Sequence, residues 1–220
     1  MAGILFIISA PSGSGKSTLV NEVRRLVPGL EFSVSYTTRA PRGSEEDGRE
    51  YYFTTKENFE RMIAADEFLE YATVFGDNYY GTAVFALDQA RKHGHDLLLD
   101  IDVQGALQVM KKMPEAVSIF ILPPSPEVLE MRLRNRSQAE GVTQEDVIAK
   151  RLSQARNELL KIGDYKYALV NDQLEVAATE MRSIVLHERG EESAAIAAAC
   201  LTAARSARLQ TALSSFDLSE

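Results

Sequence analysis

The sequence predicts an α/β fold: a parallel sheet with helices on both faces, interrupted by one small mixed β/α insertion. Three observations predict it. Short apolar runs without polar alternation stand at Ile4–Ser9, Asp96–Ile101, Val117–Leu122 and Tyr167–Val170, the pattern of strands buried on both faces. Each is followed by a segment of helical length and composition, as in a sheet built by crossovers. Between the first and second runs, Phe32–Thr82 breaks this rhythm with shorter strand-like pieces.

Taken in order, Ile4–Ser9 is a buried strand, and a helix runs from Lys16 to Val27, ending before Pro28-Gly29. Phe32–Ser35 and Tyr51–Thr54 are extended, separated by the aperiodic polar loop Arg39–Glu50. Thr55 is placed to cap a helix over Lys56–Ala65. Phe68–Val74 and Tyr79–Thr82 have strand composition, with Gly76-Asp77-Asn78 as the turn between them. Thr82 is placed to cap a helix over Ala83–His93. The strand Asp96–Ile101, the helix Val103–Lys112 and the strand Val117–Leu122 follow, the last ended by Pro123-Pro124. Pro126–Arg136 is a helix with proline at its first turn. Thr143–Asp146 reads as a capping box with Asp in place of Glu, opening a helix to Lys161. The strand Tyr167–Val170 and the helix Leu174–Arg189 complete the core, and an Ala-rich helix runs from Glu191 to Leu213.

At 220 residues, 45% hydrophobic and 25% charged, the chain is neither a disordered segment nor a coiled-coil rod, and it suits one domain with small insertions. Lys and Arg total 24 against 32 Asp and Glu, a formal net charge of −8. A uniformly acidic surface repels nucleic-acid polymers and anionic membranes. No stretch approaches the roughly 20 apolar residues of a bilayer span, and Ile4–Ile8 lacks the basic flank of a signal peptide. The single cysteine, Cys200, permits no intrachain disulfide and fits a reducing, cytoplasmic setting. In its Ala-rich surroundings it reads as a small buried apolar side chain. The histidines His93, His95 and His187 show no metal-ligand spacing.

Ala10-Pro11-Ser12-Gly13-Ser14-Gly15-Lys16-Ser17, followed by Thr18, is a Walker A element with Ala at the first Gly position. It leaves a strand and opens a helix, the context in which such a match carries weight. Its glycines let backbone N–H groups turn inward around a phosphate, and the helix N-terminus adds partial positive charge. Lys16 is placed for the β- and γ-phosphoryl groups of a nucleotide such as ATP, and Ser17 for Mg²⁺. Leu97-Leu98-Leu99-Asp100 puts an acid at the carboxyl end of a buried strand, where P-loop proteins hold Mg²⁺ through its water shell. If the chain stays extended to Asp102, both acids share one face, and burying them unpaired would be costly.

The insertion decides the acceptor. Ser33–Arg42 is dense in hydroxyls and carries Arg39 and Arg42 on a Pro-stiffened loop, suited to bidentate phosphate contact. Tyr51 and Tyr80 offer phenolic donors without charge, and Glu70 follows the apolar Phe68-Leu69. Singly, each is as readily a solvated loop side chain or a core tyrosine. A guanine base explains the combination. A carboxylate accepts from its N1–H and N2–H₂, a hydroxyl donates to its O6, and adenine would leave such acids unpaired.

With these residues in place the chain resembles the guanylate kinase family, over Ser9–Leu19, Ser33–Phe53, Glu67–Thr82 and Leu98–Gly105. The resemblance implies a P-loop core, a nucleoside-monophosphate-binding insertion and a mobile lid. It implies that Arg39, Arg42, Tyr51 and Tyr80 hold the GMP phosphate, and that Ser35, Glu70, Thr82 and Asp102 read the base. It divides the chain into a core of residues 1–32, 83–131 and 157–190, a GMP-binding subdomain of 33–82, a lid of 132–156 and a C-terminal extension of 191–220. The implied activity is ATP:GMP phosphotransfer with Mg²⁺, with dGMP also accepted. Two other readings stay open: a non-catalytic guanylate-kinase-like binding domain, and a kinase for another nucleoside monophosphate or a sugar phosphate. Small departures from the family pattern are Ser44, where many members have Gly, the added Asp77, and the chain beyond Gly190.

Arg132, Arg134 and Arg136 near one helix end, with Arg151 and Arg156 on the next, flank the polar segment Gln138–Thr143. On pattern alone this is an exposed basic hairpin or a lid over a nucleotide. The resemblance implies Arg132, Arg136 and Arg151 as the phosphate-facing set. Arg132–Lys166 holds 8 basic and 5 acidic residues, a local +3, so the remainder carries −11. The acidic total therefore does not oppose a mononucleotide pocket, where a few positioned cations outweigh a distant field.

Overall fold

The computed structural model of the protein describes residues 3–74, 77–139 and 145–218. The expected Gly76 turn position, the Thr143 capping position and the 140–144 part of the polar lid segment lie outside the described residues. A five-stranded sheet has the order β2-β7-β1-β8-β9, from β1 (Leu5–Ser9), β2 (Leu30–Phe32), β7 (Asp96–Asp100), β8 (Val117–Leu122) and β9 (Tyr167–Val170). The pairs β2–β7 and β8–β9 are parallel, so each needs a crossover rather than a hairpin. Every residue of β1, β8 and β9 is buried, as the unbroken apolar runs require. The sequence reading placed an extended stretch at Phe32–Ser35, whereas the edge strand β2 is Leu30–Phe32. Its three residues pair Leu30–Phe32 with Asp96–Leu98, and the Ser33 N–H then donates to the Leu98 carbonyl. No helix among the described residues is long and apolar enough to cross a membrane.

The chain divides into two compact units, Met1–Ile7 with Gly29–Val117, and Ile8–Pro28 with Ser118–Glu220. In the first, β3 (Tyr36–Thr37), β4 (Tyr52–Phe53), β5 (Phe68–Val74) and β6 (Asn78–Ala83) form a second sheet of order β4-β3-β6-β5. Its β3–β4 pair is parallel and the others antiparallel, the mixed insertion the sequence implied. Helix α2 (Lys56–Ala64) is capped by Thr55, whose hydroxyl accepts from the Asn58 N–H. It drives Phe59 into the insertion, where the ring stacks on Phe68 at 4.3 Å and Tyr79 at 5.1 Å. Helix α3 (Val84–His93) is not capped by Thr82 as expected. Ala83 holds that position, and Thr82 stays in β6, fully buried. Helix α4 (Val103–Lys112) follows β7 and is fastened to β5, the Gln108 side-chain amide donating to the Tyr71 carbonyl at 3.0 Å.

In the second unit α1 (Lys16–Leu26), α5 (Pro126–Ala139), α6 (Glu145–Leu159) and α7 (Leu174–Glu188) follow the sequence reading within a few residues. The Ala-rich extension does not. It breaks into α8 (Ala195–Ala199), a 3-10 turn at Thr202–Ala204 and α9 (Ala207–Ser215). Unpaired backbone beside β9 explains the break. The Ala168 N–H donates to the Cys200 carbonyl and the Thr202 N–H to the Lys166 carbonyl, so Leu201 forms a β-bridge with Tyr167. A continuous helix would keep those carbonyls for itself. Arg208 of α9 then donates to the Glu180 carboxylate, the Val170 carbonyl and the Asp172 carboxylate. Cys200 is buried, and burial pushes its thiol up to about 12, which makes it an inert packing residue.

Phe59 has no exposed surface and touches both strands that carry the insertion's polar face. Phe59→Ala should cost about 3–5 kcal/mol in urea-induced unfolding, and a loss below about 1 kcal/mol would contradict this packing role.

Candidate active site

In the first unit the side chains selected from the insertion converge. Tyr80 and Thr82 stand two residues apart on β6 and therefore on one face. Thr82 pairs with Glu70 of β5, and its hydroxyl lies 3.3 Å from that of Ser35. The register of β5 shifts between Phe68 and Glu70. That irregularity lets Phe68, Leu69 and Glu70 all be buried in succession, which strict alternation would forbid. Glu70 is only 4% exposed. Burial pushes its carboxyl up to about 7, against hydrogen bonds from the Thr82 hydroxyl and N–H, while the nearby Asp102 charge adds to the rise.

Helix α4 packs directly on this carboxyl. A methyl group at Gly105 would stand 2.6 Å from Glu70 Oε2, so the position accepts no side chain without displacing the acid. Asp102 holds the start of that helix, its Oδ1 accepting from the Gly105 N–H at 2.8 Å. The strand ends at Asp100, and Asp102 turns into the cap with an exposed carboxylate. The strand therefore does not continue to Asp102, and the shared face that a continuing strand would give the two acids is not formed. One of the two, Asp100, is half-buried at the carboxyl end of β7.

A second part of the insertion is a basic and phenolic cluster. Arg39 donates through Nε to the Tyr80 hydroxyl at 3.1 Å, leaving that hydroxyl's own proton for another acceptor. Its guanidinium lies 5.2 Å from the Tyr51 ring centroid, and the Tyr51 and Tyr80 rings meet edge to face at 5.7 Å. Glu45 grips Arg39 with both oxygens, at 2.9 and 3.0 Å. The Arg42 N–H donates to the same Glu45 carboxylate at 2.8 Å, while the Arg42 side chain is exposed. Pairing with Glu45 raises Arg39 above the usual guanidinium range, and Arg39 in turn holds Glu45 below the usual carboxylate range. The sequence reading missed Glu45. It stands in the acidic run Glu45-Glu46-Asp47 of a polar loop, where nothing separates a positioning carboxylate from a solvated one.

The second unit carries the phosphate loop. Gly13 and Gly15 have φ of 89° and 80°, the left-handed region in which the loop turns its amides inward. Gly15 begins α1 without a side-chain cap, and the helix N-terminus that opens there favours an anion. The Ser14 hydroxyl is buried and meets no partner, a donor waiting inside the loop. Two side chains brace the loop. The Ser14 carbonyl accepts from Asn171 Nδ2 at 2.8 Å and Arg132 at 3.2 Å, and Arg132 also donates to the Asn171 carbonyl at 3.1 Å. A methyl at Gly15 would stand 2.6 Å from Asn171 Nδ2. Asn171 was missed too, because it follows a strand distant in sequence and shows no motif alone.

Of the expected lid cations, burial lowers Arg132 from the usual guanidinium range. Arg151 donates to the buried Ser137 hydroxyl at 3.3 Å, and Arg136 is exposed. Arg134 is engaged by Glu130 and Glu145. Ser17 lies exposed in the first turn of α1, and its hydroxyl is a hard oxygen donor of the kind Mg²⁺ takes.

Glu70 gives a signed pH dependence. Its folded pKa of about 7 exceeds the unfolded carboxylate value of 4.5, so its protonated form stabilises the fold fully below about pH 4.5. That contribution disappears as pH rises through 7. Between pH 5 and pH 8 the ligand-free protein should lose on the order of 3 kcal/mol relative to Glu70→Gln in matched thermal unfolding. Parallel pH profiles for the two proteins would show that the carboxyl is not buried as described.

The family model described as guanylate kinase matches residues 3–188. The guanylate kinase of Koribacter versatilis is 54% identical, across 98% of this chain and 97% of its own. That of Escherichia coli is 48% identical, across 85% of this chain and 89% of its own. The crystal structure of guanylate kinase from Anaplasma phagocytophilum superposes with a TM-score of 0.66 at 34% identity, covering 85% of this chain and 86% of that one. The chain, with its phosphate loop and its hydroxyl-lined buried carboxyl, belongs to the guanylate kinase family.

Proposed function

We propose that the protein transfers the γ-phosphoryl group of ATP to GMP, giving ADP and GDP in purine nucleotide metabolism in the cytoplasm, and that it also accepts dGMP. The observation that carries the acceptor is Glu70, an acid kept 4% exposed beside the Ser35 and Thr82 hydroxyls. As a carboxylate it accepts from guanine N1–H and N2–H₂, with Asp102 at the rim as a second acceptor. A hydroxyl donates to O6. Adenine would leave the carboxylate desolvated and unpaired, a penalty that discriminates strongly.

The GMP phosphate is held by Arg39, Arg42, Tyr51 and Tyr80. Glu45 fixes the guanidinium plane of Arg39 beforehand, so little rotamer freedom is lost on binding. The phosphate oxygen is already a nucleophile, and no general base is needed. Catalysis is alignment and charge stabilisation. Ala10 to Thr18 cradle the ATP phosphates through backbone amides, and Lys16 accompanies the γ-phosphoryl as it moves. Arg132, Arg136 and Arg151 offset the charge on its equatorial oxygens. Ser17 and Asp100 would hold Mg²⁺ delivered with ATP, which supplies positive charge to the β- and γ-phosphoryl oxygens.

A coupled assay of ADP formation against GMP, dGMP, AMP, UMP and CMP tests the acceptor. Turnover should be confined to GMP and dGMP, and comparable turnover with AMP or UMP would refute the guanine site. Lys16→Ala should lower kcat by about 10² or more while calorimetric GMP affinity stays within a few-fold of wild type. Unchanged turnover in that variant would remove the phosphate loop from the mechanism.

A further inference from the structure

Glu31, His93 and His95 form a cluster that the phosphotransfer reaction does not use. Their ligand atoms all lie within 4.8 Å of one another, the one such group of three or more His, Cys, Asp or Glu among the described residues. His95 Nδ1 is 2.7 Å and His93 Nδ1 3.1 Å from the same Glu31 oxygen. We propose that these three side chains bind a divalent transition-metal ion of the zinc class, which clips the edge strand β2 to the turn between α3 and β7.

The scaffold holds all three positions. Glu31 is the middle residue of β2 and pairs with Leu97 of β7. His93 is the last residue of α3, and Gly94, at φ 70°, ends that helix in the left-handed conformation. The His95 N–H then donates to the Ala90 carbonyl at 2.9 Å, which fixes the second imidazole one residue before β7. Two imidazole nitrogens and one carboxylate oxygen are the donor set that zinc prefers, and magnesium, which seeks oxygen, does not. Side-chain exposures of 59% for His93, 44% for His95 and 33% for Glu31 leave the site open to solvent, with room for water at the remaining coordination positions. The cluster lies at the opposite end of β7 from Asp100, roughly 16 Å away along the strand.

The protein's three histidines make the test direct. Zinc chloride is titrated into the nucleotide-free protein while the imidazole nitrogen resonances are followed by NMR and the thermal midpoint is measured in parallel. The His93 and His95 signals should shift and saturate at one equivalent while His187 stays in place, and the midpoint should rise reversibly with chelator. Loss of even an outer partner of a metal ligand weakens binding by about 10–100-fold, so His95→Ala should lose at least about tenfold in zinc affinity. Glu31→Gln should do the same with the scaffold's shape retained, and it stands in if the alanine variant fails to fold. A titration that fails to saturate, equal shifts at His187, or unchanged affinity in Glu31→Gln would overturn the site.

Discussion

Glu70 is a carboxyl group placed where water cannot reach it, and much of the first unit is arranged around that fact. An ionised carboxylate in such a place is unfavourable unless donors surround it, and the protein supplies only part of the set. Thr82 donates from one side, and α4 closes the other with Gly105, the one residue type that leaves space for the acid. Asp102 fixes the entry of that helix and adds a second negative charge nearby. In the proposed reading a guanine edge supplies the remaining donors, and its binding offsets the burial that raises the Glu70 carboxyl.

The phosphate-binding parts follow a different logic. Arg39 is already paired by Glu45, oriented by Tyr80 and backed by Tyr51, so its charge is aimed before any anion arrives. The phosphate loop is likewise preset, with the Ser14 carbonyl bound by Asn171 and Arg132. In both cases the protein's own hydrogen bonds fix the group in place. Phosphoryl transfer needs little else from a protein than such alignment.

The phosphate loop was legible because its function is local: strand, glycine turn, lysine and helix stand in one stretch of sequence. The buried strands were legible for the same reason, since each carries its own apolar run. Arg39, Tyr80, Thr82 and Glu70 were singled out by chemistry, but their convergence depends on the pairing of β3, β5 and β6, which no periodicity specifies. Glu45 and Asn171 were missed because each acts by touching something far away or unremarkable in sequence. The Ala-rich extension misled for a similar reason. Its helix propensity is real, and it lost to unpaired backbone groups beside β9 that the local sequence does not show. Glu31 and His95 are separated by 64 residues, so a ligand cluster there leaves no spacing pattern to read.

The central claim is that burial raises the Glu70 carboxyl and that its ligand lowers it again. A carbon-detected NMR titration of the Glu70 side-chain carboxyl, with and without GMP, measures this directly. The account predicts a midpoint near 7 in the ligand-free protein and a clear downward shift when GMP is bound. A ligand-free midpoint in the ordinary carboxylate range of about 4–5, unmoved by GMP, would contradict it.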